Sequence, residues 1–283
     1  MRYAICNEVF QGWDLGRTVD FVAHTGYEGL EIAPFTLAPA GVRALDAAAR
    51  RAVRRRVEDA GLAVVGLHWL LVGPPGLHLT SRDPEVRRAT SDYLVALAEC
   101  CADLGGHLLV LGSPQQRNLP DGMDREEGFR TAAACLEPAV RRAEALGVRW
   151  CLEPLPPSDT NFLNTLAEAL ALHDLLGGGP ALGVQLDAKS LCAEAEDPRQ
   201  PAPVILAHRQ RADRFAHFHA NDRNLRGPGT GDVDFRPIFE ALREVGYTGW
   251  ISVEVFDFRE GPEAIAQGSL SYLRAAEDRS PTA

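Results

Sequence analysis

Glu153, Asp187, His219 and Glu254 stand at the ends of four successive apolar runs in the second half of this 283-residue chain. Three carboxylates and an imidazole form an oxygen-rich, moderately hard donor set. It suits one divalent cation, Mn2+ first, with Mg2+, Co2+ or Zn2+ as alternatives. Without a cation the three anions would repel one another, and burying them would be costly. Unrelated acids in loops after strands are the competing reading, but four on consecutive strands, all at the same end, weigh against it. Glu8, Glu31 and His68 occupy matching places in the first half. His68 points toward the same mouth as a substrate contact or a support for one. Glu8 and Glu31 are placed to hold substrate hydroxyls or to form loop salt bridges. His217 shares a side of its strand with His219 and lies one layer deeper, as a hydrogen-bonded core histidine. Trp13, Trp69 and Phe256 fall near strand ends, where an aromatic face either stacks on a sugar ring or simply packs.

The stretch 214–256 shows what positions such residues. An apolar strand over 214–220 leads into a loop with Gly227, Pro228, Gly229 and Gly231. Asp232 or Asp234 caps a helix whose Ile238, Phe239, Leu242 and Val245 recur at helical spacing. Gly246 stops it, and a strand over 250–255 carries Glu254. The same rhythm runs through the chain. Strands are predicted over 2–6, 28–32, 62–67, 107–111, 148–153 and 181–186. Helices are predicted over 17–25, 42–60, 83–104, 125–146, 165–176, 201–211 and 262–276. Eight apolar strands without strict alternation, each followed by a helix, imply a parallel sheet buried on both faces. The expected fold is α/β, a single-domain (β/α)8 TIM barrel over 1–277 with a polar C-terminal tail at 278–283. No Gly-x-Gly-x-x-Gly follows the first strand, which argues against an open dinucleotide-binding sheet. In a barrel the carboxyl ends of all strands open onto one face, so the ionisable residues above would converge there.

Composition narrows the partners. The chain is 46% hydrophobic and 24% charged, an ordinary soluble balance. A net charge of -10 argues against a nucleic-acid partner. The arginine-rich run 50–56 sits beside Glu58 and Asp59 and reads as a solvated helix face. No apolar run reaches the ~20 residues of a membrane helix, and the first strand starts too near Met1 for a signal peptide. The six cysteines show no metal or redox spacing, as expected of reduced, buried thiols in a cytoplasmic protein. A small molecule is the expected partner, with no nucleic acid and no membrane.

Four segments carry a family resemblance: Leu152-Glu153-Pro154, Gln185-Leu186-Asp187, His217-Phe218-His219-Ala220-Asn221-Asp222 and Ser252-Val253-Glu254-Val255-Phe256. Together with the phrase EVGYTGW ending at Trp250, they resemble the xylose isomerase-like TIM barrels. That family includes ketose 3-epimerases, hydroxypyruvate isomerase, and inosose isomerases and dehydratases. The resemblance covers essentially the whole chain and is strongest from Cys151 onward. It implies that Glu153, Asp187, His219 and Glu254 ligate one divalent metal. It also implies that Glu153 and Glu254 act as acid and base on opposite faces of a ketose, keto-sugar or cyclitol. The chemistry is coherent. A metal holding a carbonyl and its neighbouring hydroxyl acidifies the C–H bond and stabilises the enediolate. A glutamate ligated through one oxygen keeps the other free for the proton. One base gives an isomerase and two give an epimerase. A leaving group beta to the carbanion would give a lyase or dehydratase.

The chain also departs from the ketose epimerases. They carry a histidine three residues after the aspartate ligand, where this chain has Ser190, and Lys189 is the candidate substitute as a cationic donor. Asp159 stands where they carry an acid six residues after the first glutamate ligand. The arginine expected at 225 is replaced by leucine, with Arg226 next to it. The candidate substrate contacts are thus His68, Asp159, Lys189, Arg226, Glu8 and Trp13. Endonuclease IV barrels are also similar, but their extra histidines are missing at Ser190 and in Asp232-Val233-Asp234. A non-catalytic barrel subunit is disfavoured by the complete quartet. The family's dimers and tetramers leave a homo-oligomer open.

Overall fold

In the computed structural model, which describes residues 1–279, eight parallel strands pair in sequence order and β8 closes back onto β1. The first half runs β1 (Arg2–Cys6), α1 (Leu15–Thr25), β2 (Gly29–Ile32), α2 (Pro34–Leu37), α3 (Ala47–Glu58), β3 (Ala63–Leu67), α4 (Pro84–Asp103) and β4 (Leu108–Leu111). After α5 (Arg125–Leu146) come β5 (Arg149–Leu152), α6 (Leu166–Leu175), β6 (Leu182–Asp187), α7 (Ala188–Glu194) and α8 (Ala202–Ala207). The chain finishes with β7 (Phe215–Ala220), α9 (Phe235–Glu244), β8 (Trp250–Val253) and α10 (Pro262–Arg279). Carboxylates of Asp14, Asp46, Asp83, Asp124 and Asp234 accept from the first-turn N–H groups of α1, α3, α4, α5 and α9, which satisfies otherwise orphaned donors. Asp234 rather than Asp232 is therefore the cap of α9.

Three local features differ from the sequence reading. Residues 201–211 split into α8 and 3-10 turns at Arg209–Arg214, whose side chains are all unburied, so no apolar stripe sustains a longer α-helix. Helix α7 starts without a loop after β6, because the last residue of that strand, Asp187, is itself the N-cap. Finally, α10 stays helical to Arg279, past the expected start of the polar tail, and 280–283 lie outside the described residues.

Two layers of packing hold the barrel. Outside it, apolar strand residues meet the helices in one large core. Inside, Ala4, Val65, Leu108, Val110, Cys151 and Trp250 fill the amino-terminal half. The Arg2 guanidinium lies 4.2 Å above the Trp250 ring and closes that end. A Cβ on Gly66 would come within 2.1 Å of the Leu108 carbonyl, so glycine permits the close β3–β4 approach. Above this plug the interior turns polar. Side chains two apart share a side of a strand, so Gln185 lies below Asp187, His217 below His219 and Ser252 below Glu254. The register pairs Gln185 with His217, Asp187 with His219, and His219 with Ser252. All six cysteines are buried and free. No described helix is long and apolar enough to cross a membrane.

Candidate active site

Closure of the barrel brings Glu153, Asp187, His219 and Glu254 together. One donor atom from each lies within 4.8 Å of the others, and all four side chains are buried. Asp187 and His219 end or nearly end β6 and β7. Glu153 and Glu254 are the first residues past β5 and β8, which leaves their carboxylates at the mouth.

Each donor is fixed by a neighbour. The Asp187 carboxylate accepts from Ser190 N through Oδ1 (2.8 Å) and from Asn221 Nδ2 through Oδ2 (2.6 Å). The Trp69 indole N–H donates to Glu254 Oε1 at 3.0 Å. The wholly buried guanidinium of Arg117 donates to the Glu153 carbonyl at 2.6 Å and to Leu111 O at 3.3 Å, tying the end of β5 to that of β4. Gly112 gives Glu153 its space, since a Cβ there would sit 2.1 Å from Glu153 Oε2. Glu31 lies beneath His219 and accepts from His219 Nε2 (3.1 Å) and His217 Nε2 (2.7 Å).

The bond to Glu31 turns His219 Nδ1 toward Glu254 Oε2 at 3.1 Å and Glu153 Oε1 at 3.6 Å, without a hydrogen bond to either. Burial alone would lower the pKa of His219, but the facing charges of Glu254 and Glu31 reverse this and raise it well above the usual range. The pocket thus calls for positive charge at this point. A divalent cation supplies it, and a histidine whose far nitrogen donates to a carboxylate is the usual form of a metal-binding imidazole. The donor set therefore fits such an ion. Asp187, His219, Glu153 and Glu254 would hold it.

From the protein's own charges, the two glutamates diverge. Burial pushes Glu153 up to about 7, with repulsion from Glu254 outweighing part of the relief from His219. Burial also acts on Glu254, but the positive fields of His219 and His68 hold it below its ordinary value. Glu31 is buried too, yet His217 and His219 keep it well below the carboxylate range.

A cavity of about 250 Å³ opens above the quartet, lined by His68, Trp69, Glu153, Asp159, Lys189 and Glu254 among others. Lys189 Nζ and Asp159 Oδ2 pair across it at 2.7 Å, with the ammonium 4.5 Å from the Phe256 ring centre. Three of the four described non-glycine residues with left-handed backbone angles, Trp69, Ser113 and Leu225 (φ 53°, 45° and 69°), lie in its wall, a conformation uncommon for residues with a side chain and enriched at functional sites.

Other expected contacts lie elsewhere. Arg226 does not reach this cavity. Its guanidinium pairs with Glu260, and Leu225 occupies the wall instead. Trp13 and Glu8 line a second cavity of about 530 Å³, although Glu8 also bonds His68 Nε2 at 2.7 Å. Glu31 lies below the floor, wholly buried, and has no access to a ligand hydroxyl. His217 is the expected core histidine. The sequence reading missed the supports provided by Glu31, Arg117, Asn221 and the Trp69 N–H. The one available signal was the His217/His219 pair, whose burial demands an acidic acceptor.

A family model described as the xylose isomerase-like TIM barrel matches residues 19–276. The chain is 31% identical over 207 residues to the L-ribulose 3-epimerase of Mesorhizobium japonicum, a match spanning 71% of this chain and 65% of that protein. It is 25% identical over 247 residues to the D-psicose 3-epimerase of Agrobacterium fabrum, spanning 85% and 79%. Among solved structures, the D-psicose 3-epimerase of Clostridium cellulolyticum with D-tagatose superposes with a TM-score of 0.84. That match has 21% identity and covers 98% of this chain and 99% of the other. The closed barrel, the quartet at its carboxyl end and a match over nearly the full length agree: this chain belongs to the xylose isomerase-like TIM barrel family.

Proposed function

We propose that this protein is a divalent-cation-dependent epimerase or isomerase of a small, unphosphorylated polyhydroxy carbonyl compound. Membership of the isomerase class rests on its relatives, which are named as epimerases and isomerases. The observation that carries the mechanism is the convergence of Glu153 and Glu254 on one donor set beneath one cavity. A divalent cation bound there would polarise the substrate carbonyl and its neighbouring hydroxyl, making the adjacent C–H bond acidic. Glu153 and Glu254 exchange protons with that carbon from opposite sides, one taking and the other returning. Lys189, held by Asp159, lends its ammonium to the substrate oxygen on which charge builds. Trp69 keeps Glu254 from rotating away. Among the described residues lining this cavity, Lys189 is the one lysine or arginine and is already paired, so no cradle for a phosphate is in place.

The test is proton NMR of ketoses, keto-sugars and inososes in D2O with Mn2+-loaded enzyme. Solvent deuterium should enter at one carbon, with inversion or carbonyl transfer, and EDTA should stop it. Loss of water instead of inversion would move the protein to the dehydratases. Incorporation undiminished by exhaustive chelation would remove the cation from the mechanism.

Glu31 provides a separate check. Glu31→Gln leaves two buried imidazoles with a weaker acceptor, and such outer partners are worth about 10- to 100-fold in metal affinity. Titration of Mn2+ followed by electron paramagnetic resonance should show that loss. An unchanged dissociation constant would make Glu31 a packing residue only.

A further inference from the structure

The larger cavity is not the one that holds the carboxylates. It opens beside it, between the loops after β1 and β2, and Trp69 lines both. The inner chamber, at about 250 Å³, falls just below the roughly 300–1,000 Å³ of ordinary ligand sites and suits one monosaccharide. The outer one adds about 530 Å³, more than any extension of a simple ketose would fill.

Its lining decides what fits. Phe10, Trp13, Phe35, Phe258 and Trp69 supply aromatic surface. Most of its polar groups are already engaged within the protein. Asn7 donates to Thr36 Oγ1 (2.7 Å) and accepts from Ala33 N (2.8 Å). The Thr36 hydroxyl donates to Ala33 O (2.7 Å) and that of Thr18 to Asp14 O (3.0 Å). A second sugar needs many free donors and acceptors, whereas an aromatic ring needs few. Three groups keep free capacity: the Gln11 amide and the Trp13 indole N–H, neither bonded within the described residues, and Glu8 Oε1, a buried atom without a hydrogen-bond partner on a side chain that lines this chamber. The other oxygen of that carboxylate holds His68 in the wall of the inner chamber.

We infer that the outer chamber is an aglycone subsite. The substrate is a keto-glycoside whose sugar occupies the inner chamber and whose aromatic group lies against Trp13 and Phe258, with Glu8 Oε1 accepting from a ligand hydroxyl at the junction. This assignment rests on the epimerase reading above and narrows its substrate class.

The experiment compares phenyl 3-keto-β-D-glucoside, methyl 3-keto-β-D-glucoside and a free ketose, D-allulose, as substrates for deuterium exchange by the Mn2+ enzyme. In parallel, calorimetry compares binding of phenyl and methyl β-D-glucoside, which needs no turnover. The phenyl compounds should lead the methyl ones by roughly tenfold or more, the yield of burying one ring. Trp13→Ala and Phe258→Ala should each erase most of that ratio, whatever they do to absolute rates. Equal phenyl and methyl values, or a preference that survives both variants, overturns the subsite while leaving the epimerase reading intact. Exchange with none of the three substrates overturns that reading, and the calorimetric ratio then decides the subsite by itself.

Discussion

Glu254→Gln and Glu153→Gln should each cut solvent-deuterium incorporation by roughly a hundred- to ten-thousand-fold, the usual worth of a positioned general acid or base. The amide keeps the shape of the side chain and removes its ability to carry a proton. It also removes one of three anions that repel one another in a buried space, so the fold should not suffer. Circular dichroism melting in EDTA should show a transition no lower than that of the unaltered protein. Loss of exchange with an intact melt supports the assignment. Activity persisting above a few per cent in either variant would mean that another group takes the proton.

A smaller change elsewhere should have an effect almost as large. Gly112→Ala adds one methyl group whose carbon would sit 2.1 Å from Glu153 Oε2 and 3.3 Å from its Cδ. Gly112 is not among the residues with positive φ, so alanine brings no backbone strain. The carboxylate end is the part free to yield, and a shift of about 1 Å in a catalytic group costs about a hundredfold in rate. The expected result is that loss in kcat with an unchanged melting temperature. Unimpaired turnover would show that the carboxylate has room to work from another position.

The glutamates and Gly112 differ in how readable they were. The quartet was legible because each member ends an apolar run, and strand alternation carried all four to one end without any coordinates. Asp159 and Lys189 also reached the inner cavity, where they pair. Glu31 stood at the right end of its strand as well, but its partners lie on β7, three strands away around the barrel in one direction. Only closure of the ring makes them neighbours, and no linear pattern encodes that. The importance of Gly112 depends on a distance to a side chain 41 positions later, which a glycine after a strand does not advertise. Arg226 was misplaced for a different reason. Loops turn on individual backbone angles, and with the left-handed turn at Leu225 the leucine, itself 42% exposed, lies on the cavity wall while the arginine pairs with Glu260. Helix α7 escaped notice because seven residues are too few for apolar periodicity to register. The outer chamber belongs to loops as well, so Trp13 was placed near a mouth without being assignable to one of two rooms.

The stopper formed by Trp250 under Arg2 bears on traffic. A barrel plugged at its foot admits guests only from the opposite end, so a molecule long enough to span both rooms would shut out any other and act as its strict rival for the same berth.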